Sequence, residues 1–511
     1  MIPLVTTLVA AALATREQGA DGHHQMNRGV KYLIANSPPG HEDMPRSFSP
    51  KSEYFEVLSP PIRSRYAGVV WRVLEAVPLP PDVVRRYNDS VMAVTGYEVD
   101  VLRKDATGNL ASVPNYQSYN HHYTSALHGA GAALAPHVVG ASNLHHRELF
   151  FLPTAVKGPA GVPAVQAFNE HNGNEARQSY HGLPSGFVQP LFAPQAFIFN
   201  PMQINTLNPD GTGKRGGPLP RASAAAPGAN YSGLLECPCT TRIVKDLKAK
   251  TIDGSVFDPQ CATDPRRSNL RATGNPTCDI STYVGGMECC KDGMVLLDAD
   301  QPQPEAIDEV FYRWRFYHEP FDARRHTPLV HLEWAVNGCD SAGMKGNPND
   351  CHHIEYDAVQ APEGTPPEKA VHTAVSHFQF RDMLAPDCSV EHDHYCASLK
   401  TAEARGGMMR LLMAGGHCHS PACIALELWN ADTGELVCRV TPRHGQGDDV
   451  YDEAGYLWLP PCMWGAASDS LLPPPAFTLD ANLTAIKHVN VTSYHYGVMG
   501  IWQMRGAYGD M

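Results

Sequence analysis

Two histidines separated by one residue, His417 and His419, lie in the run GGHCHSPACIALELWNADTGELVC, which extends from Gly415 to Cys438. Alternate residues of a β-strand lie on the same face, so a strand here would present two imidazoles side by side, close enough to bind one metal ion. Without a metal, the same pattern describes two half-buried histidines that have no special role. Cys418 and Cys423 pair either with each other or with other cysteines.

Two further motifs contain possible metal ligands. His121 and His122 are adjacent in SYNHHY. Adjacent residues of a regular strand point to opposite faces. Both histidines can therefore bind one ion only where the strand is twisted or bulged, or where one ring coordinates through its other nitrogen. Met499 lies in YHYGVMGIW. Its thioether is a soft ligand that selects Cu(I), whereas a methionine of the hydrophobic core would serve only to fill space.

The composition limits the partners and the compartment. The chain of 511 residues has a formal net charge of -13 and no long run of Lys and Arg, so it lacks the concentrated positive charge that binding to nucleic acid requires. No apolar run is long enough to span a bilayer. Residues 1–14 contain a short apolar stretch followed by a small-x-small site, which predicts a secretory signal peptide; the alternative is an ordinary apolar N-terminal strand.

Cysteines and sequons also favour secretion. The cysteines number 14, an even count with clustered spacings that is typical of disulfides in an oxidising compartment. Asn-x-Ser/Thr sequons predict glycan acceptors at Asn88, Asn230, Asn482 and Asn490. These features predict a secreted or cell-surface glycoprotein, whose partners could be small molecules or extracellular proteins.

The chain divides by composition into five segments. After the signal peptide, residues 15–50 are polar and are predicted to form a flexible N-terminal segment. Short runs rich in β-branched and aromatic residues, bounded by Gly and Pro, fill residues 51–210 and 301–511 and predict strands. The intervening residues 211–300 are rich in cysteine, which predicts a disulfide-stapled insertion. We therefore expect an all-β protein of two antiparallel, jelly-roll-like β-sandwich domains joined by this insertion.

The order of the motifs, with His-His early, His-x-His late and Met in a final strand, resembles the copper type II, ascorbate-dependent monooxygenases, such as peptidylglycine hydroxylating monooxygenase and dopamine β-hydroxylase. From about residue 115 to residue 504 the chain more closely resembles the stress-up-regulated nodulin-nineteen family of plants and algae. The similar pieces, in family order, are SYNHHY, NEHNGNEAR, LLECPCTT, YVGGMECCKDG, HHIEYDA, GGHCHSPACIALELWNADTGELVC, DEAGYLWLPPC and YHYGVMGIW.

This resemblance implies a copper site at His417, His419 and Met499, and a second copper at His121 and His122 with a third histidine. In this chain the comparable stretch NPMQINTLNPDG has Met202 at the position of that third histidine, so copper at the early pair is expected to be weak or absent. The resemblance further implies structural disulfides at the cysteines inside the similar pieces, namely Cys237, Cys239, Cys289, Cys290, Cys438 and Cys462.

The family chemistry would activate O₂ at His417, His419 and Met499 and abstract hydrogen from a C–H bond, with ascorbate or another reductant. The alternative is a non-catalytic extracellular or cell-surface glycoprotein that uses the same scaffold for structure or assembly. Two coppers per chain would favour the enzyme, and none would favour the structural protein.

Overall fold

The protein is all-β, as predicted. The computed structural model describes residues 33–38, 48–130, 132, 162–169, 182–207, 230–236, 292–297, 301–336, 355–358, 360–384, 403, 406–449, 452–493 and 495–509. Within these ranges almost all strand pairs are antiparallel, and the α-helices are short: α1 (Pro81–Arg86) and α2 (Phe380–Leu384). The predicted signal peptide and four of the predicted disulfide cysteines, Cys237, Cys239, Cys289 and Cys290, lie outside the described residues.

Two sheets form the first sandwich. The order of the larger sheet is β1-β11-β5-β9-β12, with β2 on β11 and β6 on β5. Its strands are β1 (Glu53–Leu58), β2 (Ile62–Arg65), β5 (Val91–Lys104), β6 (Leu110–Ser112), β9 (Phe187–Phe192), β11 (Ile307–Pro320) and β12 (Thr327–Pro328). The order of the other sheet is β3-β10-β7-β8, with β4 on β10. Its strands are β3 (Val69–Trp71), β4 (Val77–Pro78), β7 (Ser118–Gly129), β8 (Val165–Ala167) and β10 (Pro194–Asn205).

Strand β11 shows why the two sheets pack together. Four of its apolar residues recur at every second position, so Val310, Tyr312, Trp314 and Phe316 share one face of the strand. Trp314, fully buried on that face, packs edge-on against Tyr123 of the opposite sheet, with ring centroids 4.6 Å apart. On the other face Arg315 makes an ion pair with Glu56 of β1 at 2.6 Å. The alternation therefore fixes which side of β11 faces the core.

The position of β11 corrects the predicted domain boundary. The second sandwich was expected to begin at residue 301, yet β11 pairs with β1 on one side and β5 on the other, at the centre of the first sandwich. The chain thus returns to complete the first sheet after the cysteine-rich region. The first strand of the second sandwich is β13, which begins at Val330.

Two more sheets form the second sandwich around a separate core. The order of one is β13-β27-β16-β23, with β24 on β16; its strands are β13 (Val330–Ala335), β16 (Met408–His417), β23 (Cys462–Met463), β24 (Ala476–Thr478) and β27 (Ile501–Tyr508). The order of the other is β15-β25-β17-β18; its strands are β15 (Val371–Gln379), β17 (Cys423–Asn430), β18 (Glu435–Val440) and β25 (Asn482–Asn490). Three short pairs lie beside them: β14 (Glu355–Ala358) with β26 (His495–Met499), β19 (Arg443–His444) with β22 (Leu457–Trp458), and β20 (Asp448–Asp449) with β21 (Asp452–Glu453).

Part of the predicted flexible segment, residues 15–50, is instead packed on the second sandwich. Ala35 donates its backbone N–H to the carbonyl of Pro461, and Asn36 exchanges two hydrogen bonds with the backbone of Met463. Ile34 is buried against Met463. The prediction from polarity missed this contact because a few backbone hydrogen bonds and one buried side chain suffice to anchor a short polar stretch.

Candidate metal centre

The early histidine pair lies at a β-bulge. In the pairing of β7 with β10, His122 lies opposite Met202 and Asn120 lies opposite Gln203, so His121 is an extra residue on its strand. The imidazoles of His121 and His122 are both buried, with ring centroids 5.2 Å apart. The bulge that the sequence required for a shared site is therefore present, and it overrides the alternation that would send the two rings to opposite faces.

The late pair is held by a strand end and a disulfide loop. His417 is the last residue of β16 and lies opposite Ile501 of β27. His419 lies beyond the strand, in the loop closed by the disulfide Cys418–Cys423, and its carbonyl accepts a backbone N–H bond from Cys423 at 3.0 Å. The expectation that one strand face carries both histidines is thus wrong for His419. The loop nevertheless brings the two rings to a centroid distance of 5.0 Å.

The structure brings the two pairs together, although the resemblance implied two separate copper sites. The ring of His121 lies 4.3 Å from that of His419 and 6.4 Å from that of His417, measured between centroids. We call His121, His122, His417 and His419 the four-histidine cluster. Two of its residues come from the first sandwich and two from the second, and each is at most 3% exposed.

The rings of the cluster are spaced like the ligands of one metal ion, but their nitrogens do not point to a common centre. Metal–nitrogen bonds of about 2 Å put the centroids of two imidazoles on one tetrahedral ion about 5 Å apart, which is close to the observed distances. As the side chains stand, no three His, Cys, Asp or Glu residues in the described part of the chain converge on a point that could hold an ion. Rotation about the Cβ–Cγ bond of a histidine redirects its nitrogens while moving the ring centre little. Side-chain rotation can thus reorient the donors without moving the backbone.

The electrostatics of His419 favour a neutral ring. Both of its ring nitrogens are buried without a hydrogen-bond partner among the described residues. Burial, followed by the nearby positive charge of Lys487, holds the pKa of His419 well below its ordinary value. A neutral imidazole is the form that coordinates a metal, and a buried ring nitrogen without a hydrogen bond is costly. The donor chemistry of the cluster therefore fits a metal ion.

The two methionines have different surroundings. Met499 is fully buried. It lies two residues before Ile501, which is opposite His417 in the pairing of β27 with β16. Its carbonyl accepts a hydrogen bond from the ammonium of the buried Lys487. Met202 lies opposite His122 but belongs to a hydrophobic cluster that includes Tyr119 and Ile204. Met499 thus lies close along the chain to the partner of His417, whereas Met202 packs in a hydrophobic cluster.

Sequence reasoning missed the buried Lys487 and Glu236, and it assigned no role to His495, which lies in the YHYGVMGIW motif. Lys487, on β25, is 1% exposed, and burial lowers its pKa well below the ordinary value. A Cβ atom at residue 500 would lie 2.6 Å from the side chain of Lys487, so Gly500 leaves room for that side chain. Glu236 and His495 are also buried and hydrogen-bonded to each other. An isolated Lys or Glu in a sequence is usually exposed, so nothing in the pattern marked Lys487 or Glu236.

The other predicted site residues that the structure describes are disulfide cysteines and sequon asparagines. Cys438 pairs with Cys462, as expected of structural cysteines, and Cys418 pairs locally with Cys423. The sequon asparagines Asn88, Asn230 and Asn482 are exposed, and Asn490 is half-buried. No helix among the described residues is long and apolar enough to cross a membrane.

Comparisons with known proteins do not identify the chain. No family model matches it, and no curated protein matches it significantly. Among solved structures, it aligns with a chain of the Sputnik virophage, determined by cryo-electron microscopy at 3.5 Å resolution, at 8% identity. That alignment covers 98% of this chain and 91% of the virophage chain with a TM-score of 0.17, which is too low to support any argument.

Proposed function

We propose that this protein is a secreted copper-binding protein whose metal lies between its two sandwiches. The observation that carries this proposal is the four-histidine cluster, in which the buried ring of His121 lies 4.3–6.4 Å from each of the other three rings, measured between centroids. Both ring nitrogens of His419 are buried without a hydrogen-bond partner among the described residues, which is unfavourable, and a metal ion would satisfy one of them.

The donor set favours copper over zinc. His121, His417 and His419 supply the imidazoles, and Met499 supplies a thioether, a soft ligand that selects Cu(I) and that Zn²⁺ seldom uses. His122 packs edge-on against Trp71, with ring centroids 5.2 Å apart, and supports His121 from the same strand. Bound copper would supply one-electron redox chemistry, while the chain holds neutral nitrogens around it and excludes water.

Burial favours a role in holding the sandwiches together. Each ring of the cluster is at most 3% exposed, so the closed arrangement leaves little room for a bulky substrate to reach the metal. Hydroxylation with O₂ and ascorbate is the second candidate, supported by the thioether of Met499, and it would require the sandwiches to separate at the site. The disulfides Cys418–Cys423 and Cys438–Cys462 support an oxidising, extracellular location.

The test is the copper content of the purified protein. After reconstitution with Cu(I) and removal of excess metal, we expect one copper per chain by plasma mass spectrometry, and tighter binding of Cu(I) than of Zn²⁺ in a competition with both metals. A folded protein that retains no copper would overturn the proposal. Oxygen consumption that depends on both copper and ascorbate would distinguish the hydroxylase from a metal with a purely structural role.

A further inference from the structure

A carboxylate and an imidazole form a buried pair outside the four-histidine cluster. The imidazole Nδ1 of His495 is 2.9 Å and 3.1 Å from the two carboxylate oxygens of Glu236. Glu236 is fully buried and His495 is 2% exposed. The two residues are far apart in sequence, since Glu236 precedes the first cysteine of CPC and His495 begins β26.

This hydrogen bond determines which nitrogen of His495 can bind a metal. An ionised carboxylate only accepts hydrogen bonds, so the Nδ1 atom that faces it carries the proton, and in the neutral ring Nε2 keeps its lone pair. The present neighbour of Nε2 is the hydroxyl of Ser493 at 3.3 Å, a long contact that a metal could displace. Metal-binding histidines commonly donate their other N–H to a carboxylate in this way.

The segment before Glu236 and the loop of His419 both hydrogen-bond to Gly455–Tyr456. The backbone N–H of Ser232, four residues before Glu236, donates to the hydroxyl of Tyr456 at 3.0 Å. Ser420, next to His419, donates its hydroxyl to the carbonyl of Gly455 at 2.8 Å. His495 is also the first residue of the strand that ends at Met499, two residues before the partner of His417.

We propose that His495, oriented by Glu236, is the ligand that this site offers to oxidised copper, whereas Met499 serves reduced copper. This inference rests on the proposed copper function. Cu(II) carries one more positive charge than Cu(I), so it gains more from an imidazole whose far side contacts a buried carboxylate, and it gains less from a thioether. Three imidazoles and Met499 would form a four-coordinate Cu(I) site, to which His495 adds a nitrogen on oxidation.

The experiment compares Cu(II) and Cu(I) binding in matched variants of the full chain. Loss of a carboxylate that orients a ligand typically weakens metal binding by about 10–100-fold. We expect Glu236→Gln and His495→Gln to weaken Cu(II) binding by about that factor while changing Cu(I) binding, measured against bicinchoninate, by less than about threefold. Met499→Leu should do the reverse. Pulsed EPR of the Cu(II) protein should show one fewer imidazole nitrogen in His495→Gln.

Two controls separate this inference from the effects of altered folding. Glu98→Gln removes another buried carboxylate, which accepts a hydrogen bond from Tyr317 within the first sandwich, and should leave both copper affinities unchanged. Ser493→Ala removes the hydroxyl that competes for Nε2 and should strengthen Cu(II) binding; weaker binding would count against the proposal. If His495→Gln does not fold, Glu236→Gln and Ser493→Ala decide the question.

The outcomes distinguish the two proposals. A wild-type protein that binds neither copper ion would overturn both the copper function and the role of His495. A wild-type protein that binds copper, together with Glu236→Gln and His495→Gln variants whose Cu(II) affinity and EPR signals match it, would overturn only the role of His495.

Discussion

At the scale of single residues, the site depends on imidazoles that remain neutral while they are fully buried. His419 meets this condition because burial and the nearby charge of Lys487 depress its pKa, and no hydrogen bond within the described residues stabilises its charged form. A buried histidine of this kind is unfavourable in the metal-free protein and becomes favourable when a metal uses its lone pair. The same residue therefore links the stability of the fold to metal binding.

Replacing His417 should remove the metal but not the fold. His417→Ala deletes one of the three closely spaced imidazoles, whereas two sandwich cores and the disulfides remain. We expect the affinity for Cu(I) to fall by at least about 100-fold, because losing a direct ligand costs more than losing a residue that orients one. The melting temperature of the metal-free protein should shift by only a few degrees. His377→Ala, at an exposed histidine of β15, is the matched control and should bind copper normally.

Met202 allows a gain of function to be tested at the early pair. The side chain of residue 202 lies opposite His122, so Met202→His would add an imidazole beside it. We expect tighter copper binding, or a second copper per chain, by metal analysis. Met202→Leu preserves the apolar volume of this fully buried position and should leave copper content unchanged. Equal copper binding in folded His and Leu variants would show that the ring at 202 does not reach the site.

At the scale of elements, local irregularities position the ligands, and these explain what the sequence could and could not predict. The motifs identified all four histidines as candidate ligands, although His419 was expected on a strand and lies beyond the end of one. The pattern could not show that a bulge at His121 would turn its ring beside that of His122, or that β16 would end at His417. It also could not show that the two pairs meet, because the meeting depends on how the sandwiches pack.

The disulfide Cys418–Cys423 should matter for the metal more than for stability. It closes a loop with a sequence separation of 5 that carries His419, whereas Cys438–Cys462 spans 24 residues and confines a longer loop. Replacing Cys418 and Cys423 by Ala should weaken copper binding by about tenfold or more, as loss of a positioning contact does. Replacing Cys438 and Cys462 by Ala should lower the free energy of unfolding by about 2–4 kcal/mol and leave copper binding unchanged. Chemical unfolding and copper titration of both double variants would test this. The prediction is wrong if loss of Cys418–Cys423 lowers stability without weakening copper binding, or if loss of Cys438–Cys462 weakens copper binding.

At the scale of the whole molecule, β11 shows a limit of prediction along the chain. Its aromatic-rich run correctly predicted a strand, but its partners β1 and β5 end at Leu58 and Lys104, more than two hundred residues before β11 begins at Ile307. A sequence pattern records which face of a strand is buried and does not record which distant strand lies beside it. The first sandwich is therefore completed only after the chain has passed through the cysteine-rich region, and the core around Trp314 joins its two ends.

Stability should fall in mild acid because histidines are buried in a neutral state. Burial lowers the pKa of His318 to about 4, and its Nδ1 lies 2.9 Å from the hydroxyl of Tyr87. Between pH 6.5, the ordinary pKa, and about pH 4, the unfolded chain binds the proton and the folded chain does not, so stability present above pH 6.5 is lost as the pH falls. The contribution of His318 is about 3 kcal/mol. Urea unfolding at pH 7 and pH 4.5 should show a smaller pH dependence in His318→Gln than in the wild type.

The sharpest question about the whole molecule is whether one ion joins the two sandwiches. His121 belongs to the first sandwich and His417 to the second, with ring centroids 6.4 Å apart. If both bind the same copper, His121→Ala and His417→Ala should each abolish the rise in melting temperature that copper causes, which corresponds to about 2.7 kcal/mol at a free concentration one hundred times Kd. The double variant should lose no more than either single variant, because one shared interaction cannot be removed twice. Two independent sites would instead give single variants that each retain one copper and part of the stabilisation, and calorimetry with metal analysis on the three variants would distinguish these results.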